Sequence, residues 1–261
     1  MSTSLRVTLL QADLVWEDPE ANRRALTGSL HGIAGATDLV VLPEMFTTGF
    51  SMQPGRMAEE ASGPTAAWLR QLARDLDAAI VGSVMTRDGG RHYNRLLWAT
   101  PDGALRSYDK RHLFRMGRED KHYAAGDEPL LVEWRGFRIA PLICYDLRFP
   151  VWSRRRSGYD YDLLLYVANW PAVRRHAWKT LLPARAIENQ CYVAAVNRAG
   201  TDGLGVAYAG DSVIHSFLGE PLLELPAGPG LATAKLEHAA LAAFRDRFPA
   251  HLDADRFTLR P

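Results

Sequence analysis

The stretch "LLVEWRGFRIAPLICYDLRFP", Leu130–Pro150, decides how this chain is read. Arg135-Gly136 divides its first half, and the pair reads as the turn of a hairpin. The run after the turn is apolar enough for a buried strand and stops abruptly at Cys144, followed at once by polar and aromatic residues. A free cysteine is commonly just a small buried hydrophobe. A sharp exit from a strand has a different logic, that of a nucleophile elbow. The turn presents the side chain and aims the next backbone N–H into the same space. The other cysteine, Cys191 in "NQCYVAAV", has no such exit and reads as core.

Strand-like and helical runs alternate on both sides of this stretch. Upstream come "LRVTLLQADL", a helical "EANRRALTGSLHGIAG", and the continuous apolar "TDLVVLPEMF" stopped by Pro43. A helix follows at "GPTAAWLRQLARDLDA", with Pro64 suited to its first turn, then strands at "AAIVGSVM" and "YNRLLWATPDG". Downstream lie the strand "YDLLLYVANW", the helix "RRHAWKTLLPARAIENQ", and strand-like "CYVAAVNRAG", "DSVIHSFLGEPLLEL" and "LATAKLE". A short helix is expected from about Leu236, before a tail bearing Pro and Arg. Runs apolar on both faces suit sheets covered on both sides, so an α/β fold of mixed sheets and layered helices is expected. No Gly/Ser/Pro-rich linker divides the chain, and residues 1–261 are expected to form a single domain.

The charge balance, 31 Lys+Arg against 30 Asp+Glu, gives no electrostatic reason to expect nucleic acid or an anionic membrane as partner. No apolar run approaches a transmembrane span. The opening "MSTSLRVTLLQADLVW" lacks the basic and long apolar regions of a secretory signal, and two cysteines make no disulfide framework. A reducing cytoplasm is therefore the expected compartment. The histidines show no metal-binding spacing, and neither metal nor cofactor is expected.

Three chemically capable residues follow β-rich runs. Glu44 follows "DLVVLP", Cys144 follows "FRIAPLI", and Lys110 lies in "RSYDKRHLF". Strand ends are where α/β sheets bind ligands. A partly desolvated carboxylate can take a thiol proton, and an ammonium can stabilise an oxyanion. The bland readings are an exposed loop carboxylate, a solvated surface lysine and a core thiol. Local evidence does not choose between the two sets.

Three segments together change the balance. "VVLPEMFTTGF", "YDKRHLF" and "PLICYDLRFPVW" resemble the signature segments of the nitrilase superfamily of carbon–nitrogen hydrolases, in that family's order. Lys110 and Cys144 stand 34 positions apart, which is also family-like. The likeness extends to "HYNRLLWATPDG", "VANWP" and "LLPARAIENQCYVAAVNRAG", from the first strand to the segment around Asp211. It implies a four-layer αββα sandwich, commonly paired into a homodimer through helices following the cysteine.

The resemblance implies Glu44 as general base, Lys110 as oxyanion stabiliser, Cys144 as nucleophile and Glu119 as the second glutamate that orients the lysine or the amide. Glu128, just past Gly126, is the rival for that last role. "CYDLRFP" and "ANWP" look most like the ω-amidase branch, whose substrates are ω-amides of α-keto acids such as 2-oxoglutaramate and 2-oxosuccinamate. Such a substrate carries a carboxylate, for which Arg115, Arg118, Arg148, Arg174 and Arg175 are candidates, Arg148 foremost. Tyr145, Phe46 and Trp170 are candidate pocket walls, and the Tyr145 N–H a second oxyanion donor. The alternatives are an amidase of another small amide or an N-carbamoyl compound, a catalytically silent binding scaffold, and a Cys–His hydrolase using His112 or His176.

Overall fold

The computed structural model of the chain describes residues 3–259; Met1, Ser2, Arg260 and Pro261, the last two closing the expected tail, lie outside the described residues. The first half runs β1 (Ser4–Gln11), α1 (Pro19–Ser29), β2 (Leu39–Val41), the short α2 (Pro54–Met57), a two-residue β3 (Glu59–Glu60) and α3 (Pro64–Leu76). It continues with β4 (Ala79–Asp88), β5 (Arg91–Ala99) and β6 (Leu105–Asp109). The second half runs β7 (Val132–Trp134), β8 (Phe137–Ile143), α4 (Pro150–Ser153), β9 (Leu163–Ala168), α5 (Arg175–Asn189) and β10 (Tyr192–Asn197). A small ribbon, β11 (Ala199–Thr201) with β12 (Ala207–Ala209), precedes β13 (Val213–His215), β14 (Pro221–Glu224), β15 (Gly230–Glu237) and α6 (His238–Arg247).

Two mixed sheets result. One is ordered β15-β1-β2-β4-β5-β6, with β3 beside β4; the other is β14-β13-β10-β9-β8-β7. β15 closes the architecture by returning from the second half to pair antiparallel with β1. The expected hairpin is present. Arg135 and Gly136 both take positive φ, 48° and 80°, so the turn matches the twist of its strands.

Period-two alternation sorts the first sheet's side chains. Leu39, Val41, Val81, Leu96 and Trp98 face the second sheet, in one cluster with Ile139, Leu163 and Val193. Val40, Ile80 and Leu97 face the other way, onto Leu26 of α1 and Leu69, Leu72 and Leu76 of α3. On the second sheet β9 and β10 are buried on both faces, and Trp178, Leu182 and Ala186 of α5 join their cluster. Helices, sheet, sheet and helix thus stack as the expected αββα sandwich.

One boundary differs from expectation. Leu236 is not in a helix; it pairs with Leu5 in the β1–β15 ladder, and the last helix begins only at His238. Among the described residues no helix is long and apolar enough to cross a membrane.

Candidate active site

The strands position the site. β2 runs parallel to β1 and β4, and Pro43 and Glu44 lie two and three residues past its end. β8 and β9 run parallel, and their carboxyl ends deliver Cys144 and Asn169. β6 ends at Asp109, so Lys110 follows at once. Both sheets therefore feed one place, with Glu44 and Lys110 from the first and Cys144 from the second.

Cys144 sits in left-handed backbone, φ 44°, which an L-residue adopts only when its surroundings impose it. A short 3₁₀ helix, Cys144–Arg148, begins there, and Asp146 closes the turn by accepting the Ile143 N–H at 3.0 Å. Asp146 is itself tied to the Tyr108 hydroxyl at 2.7 Å and to His112 through both N–H at 3.0 Å and Nδ1 at 2.8 Å. His112 also stacks on Phe149. It supports the turn from below rather than lining the cavity, and His176 is exposed. The geometry gives the Cys–His alternative no base.

Lys110, fully enclosed, holds two carboxylates. Its Nζ donates to Glu44 Oε1 at 2.8 Å and to Glu119 Oε2 and Oε1 at 2.9 and 3.0 Å. Glu119 is further held by the Phe114 N–H at 2.6 Å. Glu128, the rival, is exposed on the far side of Gly126. Gly126 has a packing reason to be glycine: a Cβ there would lie 2.3 Å from the Asp109 carbonyl oxygen. That close approach docks the segment carrying Glu119 against the strand end that carries Lys110.

One buried ammonium faces two buried carboxylates and a thiol. Burial opposes the Lys110 charge, but Glu119 and Glu44 outweigh it, so its pKa is raised. Burial pushes the Glu119 carboxyl up, against the pull of Lys110 and with the repulsion of Glu44. Burial also pushes the Cys144 thiol well above its ordinary range, and the Glu44 charge adds to this more than Lys110 relieves it. Both effects favour the thiol over the thiolate at the resting sulfur.

The sequence reading missed two residues here. Asn94, inside "HYNRLL", donates through Nδ2 to Glu44 Oε1 at 2.8 Å and to Glu119 Oε1 at 3.0 Å. Asn169, inside "VANWP", donates its backbone N–H to Glu44 Oε2 at 2.8 Å and its amide to the Glu44 carbonyl at 2.9 Å. The only signal was their place inside segments that the resemblance covered. A polar residue in an otherwise buried strand asks for a buried partner.

A cavity of about 170 Å³ opens on Cys144 and Lys110. Tyr145, Arg148 and Trp170 line it, with Phe50, Phe114, Arg174 and Tyr208. Phe46 does not. It points into the helix-side core and meets Trp68 at 5.7 Å, because positive φ at Met45 (42°) turns the chain between Glu44 and Phe46. Phe50, four residues on, forms that wall instead, its ring 5.2 Å from Lys110 Nζ. The arginines separate as well. Arg115 pairs with Asp120, Arg175 pairs with Asp211, and Arg118 is exposed off the cavity. Arg148 and Arg174 line it without a carboxylate partner among the described residues, stacked on Trp170 at 4.8 Å and Phe114 at 5.1 Å.

A double-sheet sandwich whose strand ends gather a buried thiol, an ammonium and paired carboxylates defines a hydrolase of carbon–nitrogen bonds. The chain belongs to the carbon–nitrogen hydrolase family, whose model matches residues 6–246, past Asp211 and into the last helix. It is similar to the ω-amidase YafV of Yersinia enterocolitica, 53% identical over 99% of this chain and 100% of that one. It is also similar to a 2-oxoglutaramate amidase of Bacillus subtilis, 34% identical over 95% and 96%. Among solved structures it resembles a superfamily member from Xanthomonas campestris that carries an arsenic adduct in its active site. That likeness has a TM-score of 0.97 and 54% identity, over 98% of this chain and 99% of the other.

Proposed function

We propose that this protein hydrolyses the ω-amide of small α-keto dicarboxylic acid monoamides, such as 2-oxoglutaramate and 2-oxosuccinamate, to the acid and ammonia. The observation that carries the reading is the cavity itself. Its wall offers a thiol, an ammonium and two guanidiniums without carboxylate partners among the described residues. An amide that also carries a carboxylate matches these groups, since arginine takes a carboxylate bidentately. The likeness to proteins named ω-amidase and 2-oxoglutaramate amidase supports the same substrate class.

In this reading the Cys144 sulfur attacks the amide carbon and Glu44 accepts the thiol proton. Lys110 Nζ and the Tyr145 N–H stabilise the oxyanion; the first N–H groups of a helix have no intrahelical partner, which leaves that of Tyr145 available. Glu44 returns the proton to the leaving nitrogen, ammonia departs, and water activated by Glu44 hydrolyses the thioester. Glu119 holds Lys110 in place. The chain acts as a single domain in the reducing cytoplasm, where Cys144 stays a thiol, and it pairs as a homodimer.

The test is ammonia release by the purified protein from 2-oxoglutaramate, 2-oxosuccinamate, simple aliphatic amides and N-carbamoyl compounds. Turnover of the keto-acid amides, abolished in Cys144→Ala, is the expected outcome. Turnover of simple amides or N-carbamoyl compounds with none of the keto-acid amides would sink this substrate class.

A further inference from the structure

Asn94 touches both carboxylates of the site, yet it does not line the cavity. It is fully buried on β5, as is Ser83 on β4. The Ser83 hydroxyl accepts the backbone N–H of Met45 at 2.9 Å and donates to Asn94 Oδ1 at 2.8 Å. A hydroxyl has one proton, and with the Met45 N–H on a lone pair that proton is free to point at Asn94. Oδ1 is thereby held as acceptor, and the NH₂ faces the carboxylates with one hydrogen for Glu44 and one for Glu119. The bonds close a ring. It runs from the Glu44 carboxylate through Asn94 and Ser83 to the main chain of Met45, the residue bonded to Glu44 itself.

The ring makes the two oxygens of Glu44 unequal. Oε1 accepts from Lys110 Nζ and from Asn94 Nδ2, both at 2.8 Å, so both its lone pairs are engaged. Among the described residues Oε2 accepts only the Asn169 N–H, at 2.8 Å, and keeps one lone pair. A carboxylate oxygen with two donors on it is a poor proton acceptor, whereas one with a free lone pair can take the proton.

Resting on the reading of Glu44 as the base, we infer that Ser83 and Asn94 form a positioning relay that fixes Glu44 and reserves its Oε2 as the atom carrying the proton. The S–H bond of Cys144 breaks as the S–C bond forms, and the proton goes to Oε2. The same proton then passes to the amide nitrogen as the C–N bond breaks, its electron pair leaving with ammonia. Neither Ser83 nor Asn94 touches the reacting atoms. The other titratable groups facing Glu44 are Lys110, Glu119, Cys144, Tyr123 and Tyr208.

The test compares Ser83→Ala, Asn94→Asp and Glu44→Gln with the unaltered protein. Measured are kcat and KM across pH on the amide that it turns over, the pH dependence of Cys144 alkylation by iodoacetamide, and thermal unfolding. Ser83→Ala frees the Asn94 amide to turn, and kcat falls roughly tenfold with KM little changed. The acid limb of kcat/KM moves to higher pH, because a buried carboxylate that loses a donor favours its protonated form. Asn94→Asp replaces a donor with a third acid and falls further, about 100-fold, with a larger shift of the same sign. The alkylation profile moves in both variants. Folded variants with unshifted profiles beside an inactive Glu44→Gln overturn the relay and leave the base reading intact. Loss of kcat that follows only a loss of folded protein overturns it equally. Full activity in Glu44→Gln overturns the base reading, and the relay with it.

Discussion

Asp146 accepts the backbone N–H of Ile143 at 3.0 Å and thereby holds the strand-to-helix turn that carries Cys144 between them. Positive φ at a cysteine is uphill, so the turn persists only while the contacts that impose it persist. Asp146→Ala removes the shared acceptor of Ile143, Tyr108 and His112 and leaves the buried Ile143 N–H and Tyr108 hydroxyl, and the half-buried His112, unmatched. Each orphaned donor costs about 1–3 kcal/mol, so chemical denaturation should show a loss of several kcal/mol. Among molecules still folded, kcat should drop by about 100-fold, since a misplacement of about 1 Å is enough for that. Unchanged stability and rate would show that the strand alone holds the elbow.

Lys110→Met leaves Glu44 and Glu119 facing each other without a counter-charge. Breaking a buried ion pair from one side costs about 3–5 kcal/mol. The pair then takes up a proton, because two buried carboxylates this close do not both stay ionised. Stability of the variant should therefore rise as pH falls from neutrality, and more steeply than that of the unaltered protein, where the raised Glu119 carboxyl acts in the same direction against the pull of Lys110. Turnover should fall by at least about 10²-fold through loss of the oxyanion donor. Full activity in Lys110→Met would remove the lysine from the mechanism.

Alkaline solution should destabilise the fold. Burial pushes both thiols up, Cys191 to about 12 and Cys144 well above its ordinary 9.0. It pushes the phenols of Tyr108, Tyr161 and Tyr166 above their ordinary 10.0. The unfolded chain releases these protons near the ordinary values, while the folded chain still holds them. Above about pH 9 the folded state binds more protons, so stability declines by about 1.4 kcal/mol per pH unit for each such group. Cys191→Ala should flatten the slope above pH 9 by one such increment and leave turnover unchanged. An unfolding midpoint independent of pH between 8 and 11 would contradict this.

Sequence alone reached an α/β fold of mixed sheets and layered helices because its signals are local, and the family resemblance supplied the four-layer sandwich. The Arg135-Gly136 turn, the doubly apolar β9 and the Pro64 helix start each announce themselves within a few residues. Glu44, Lys110 and Cys144 stood out because charge or sulfur follows a β-rich run, and resemblance supplied their company. The supporting polar groups were silent for a physical reason. Asn94 and Asn169 look like ordinary polar interruptions until the chain brings Glu44 beside them, across 50 and 125 positions. Phe46 went the other way: its neighbourhood in sequence is the site, but the backbone reversal at Met45 sends it into the core. Residue type and order carry the site's reactive atoms, whereas which way a side chain faces after a turn depends on a φ angle that no composition records.

The two guanidiniums on the cavity wall give the sharpest test of substrate class. Among the described residues neither Arg148 nor Arg174 has a carboxylate partner, so each is free to take one from a ligand. Stacking on Trp170 and Phe114 holds them in place while leaving their N–H groups unspent. Charged hydrogen bonds contribute about 1.5–3 kcal/mol, so Arg148→Met or Arg174→Met should raise KM for 2-oxoglutaramate roughly 10- to 100-fold. If both arginines hold the same carboxylate, the double variant will lose less than the sum of the single losses. A neutral amide of similar length supplies the control, because it has nothing for the arginines to bind and its kcat/KM should change by less than about threefold. An equal loss on both substrates would mean that the arginines shape the pocket rather than read a carboxylate. Substitution by lysine should rescue poorly, since a point charge cannot reproduce the planar, stacked fork.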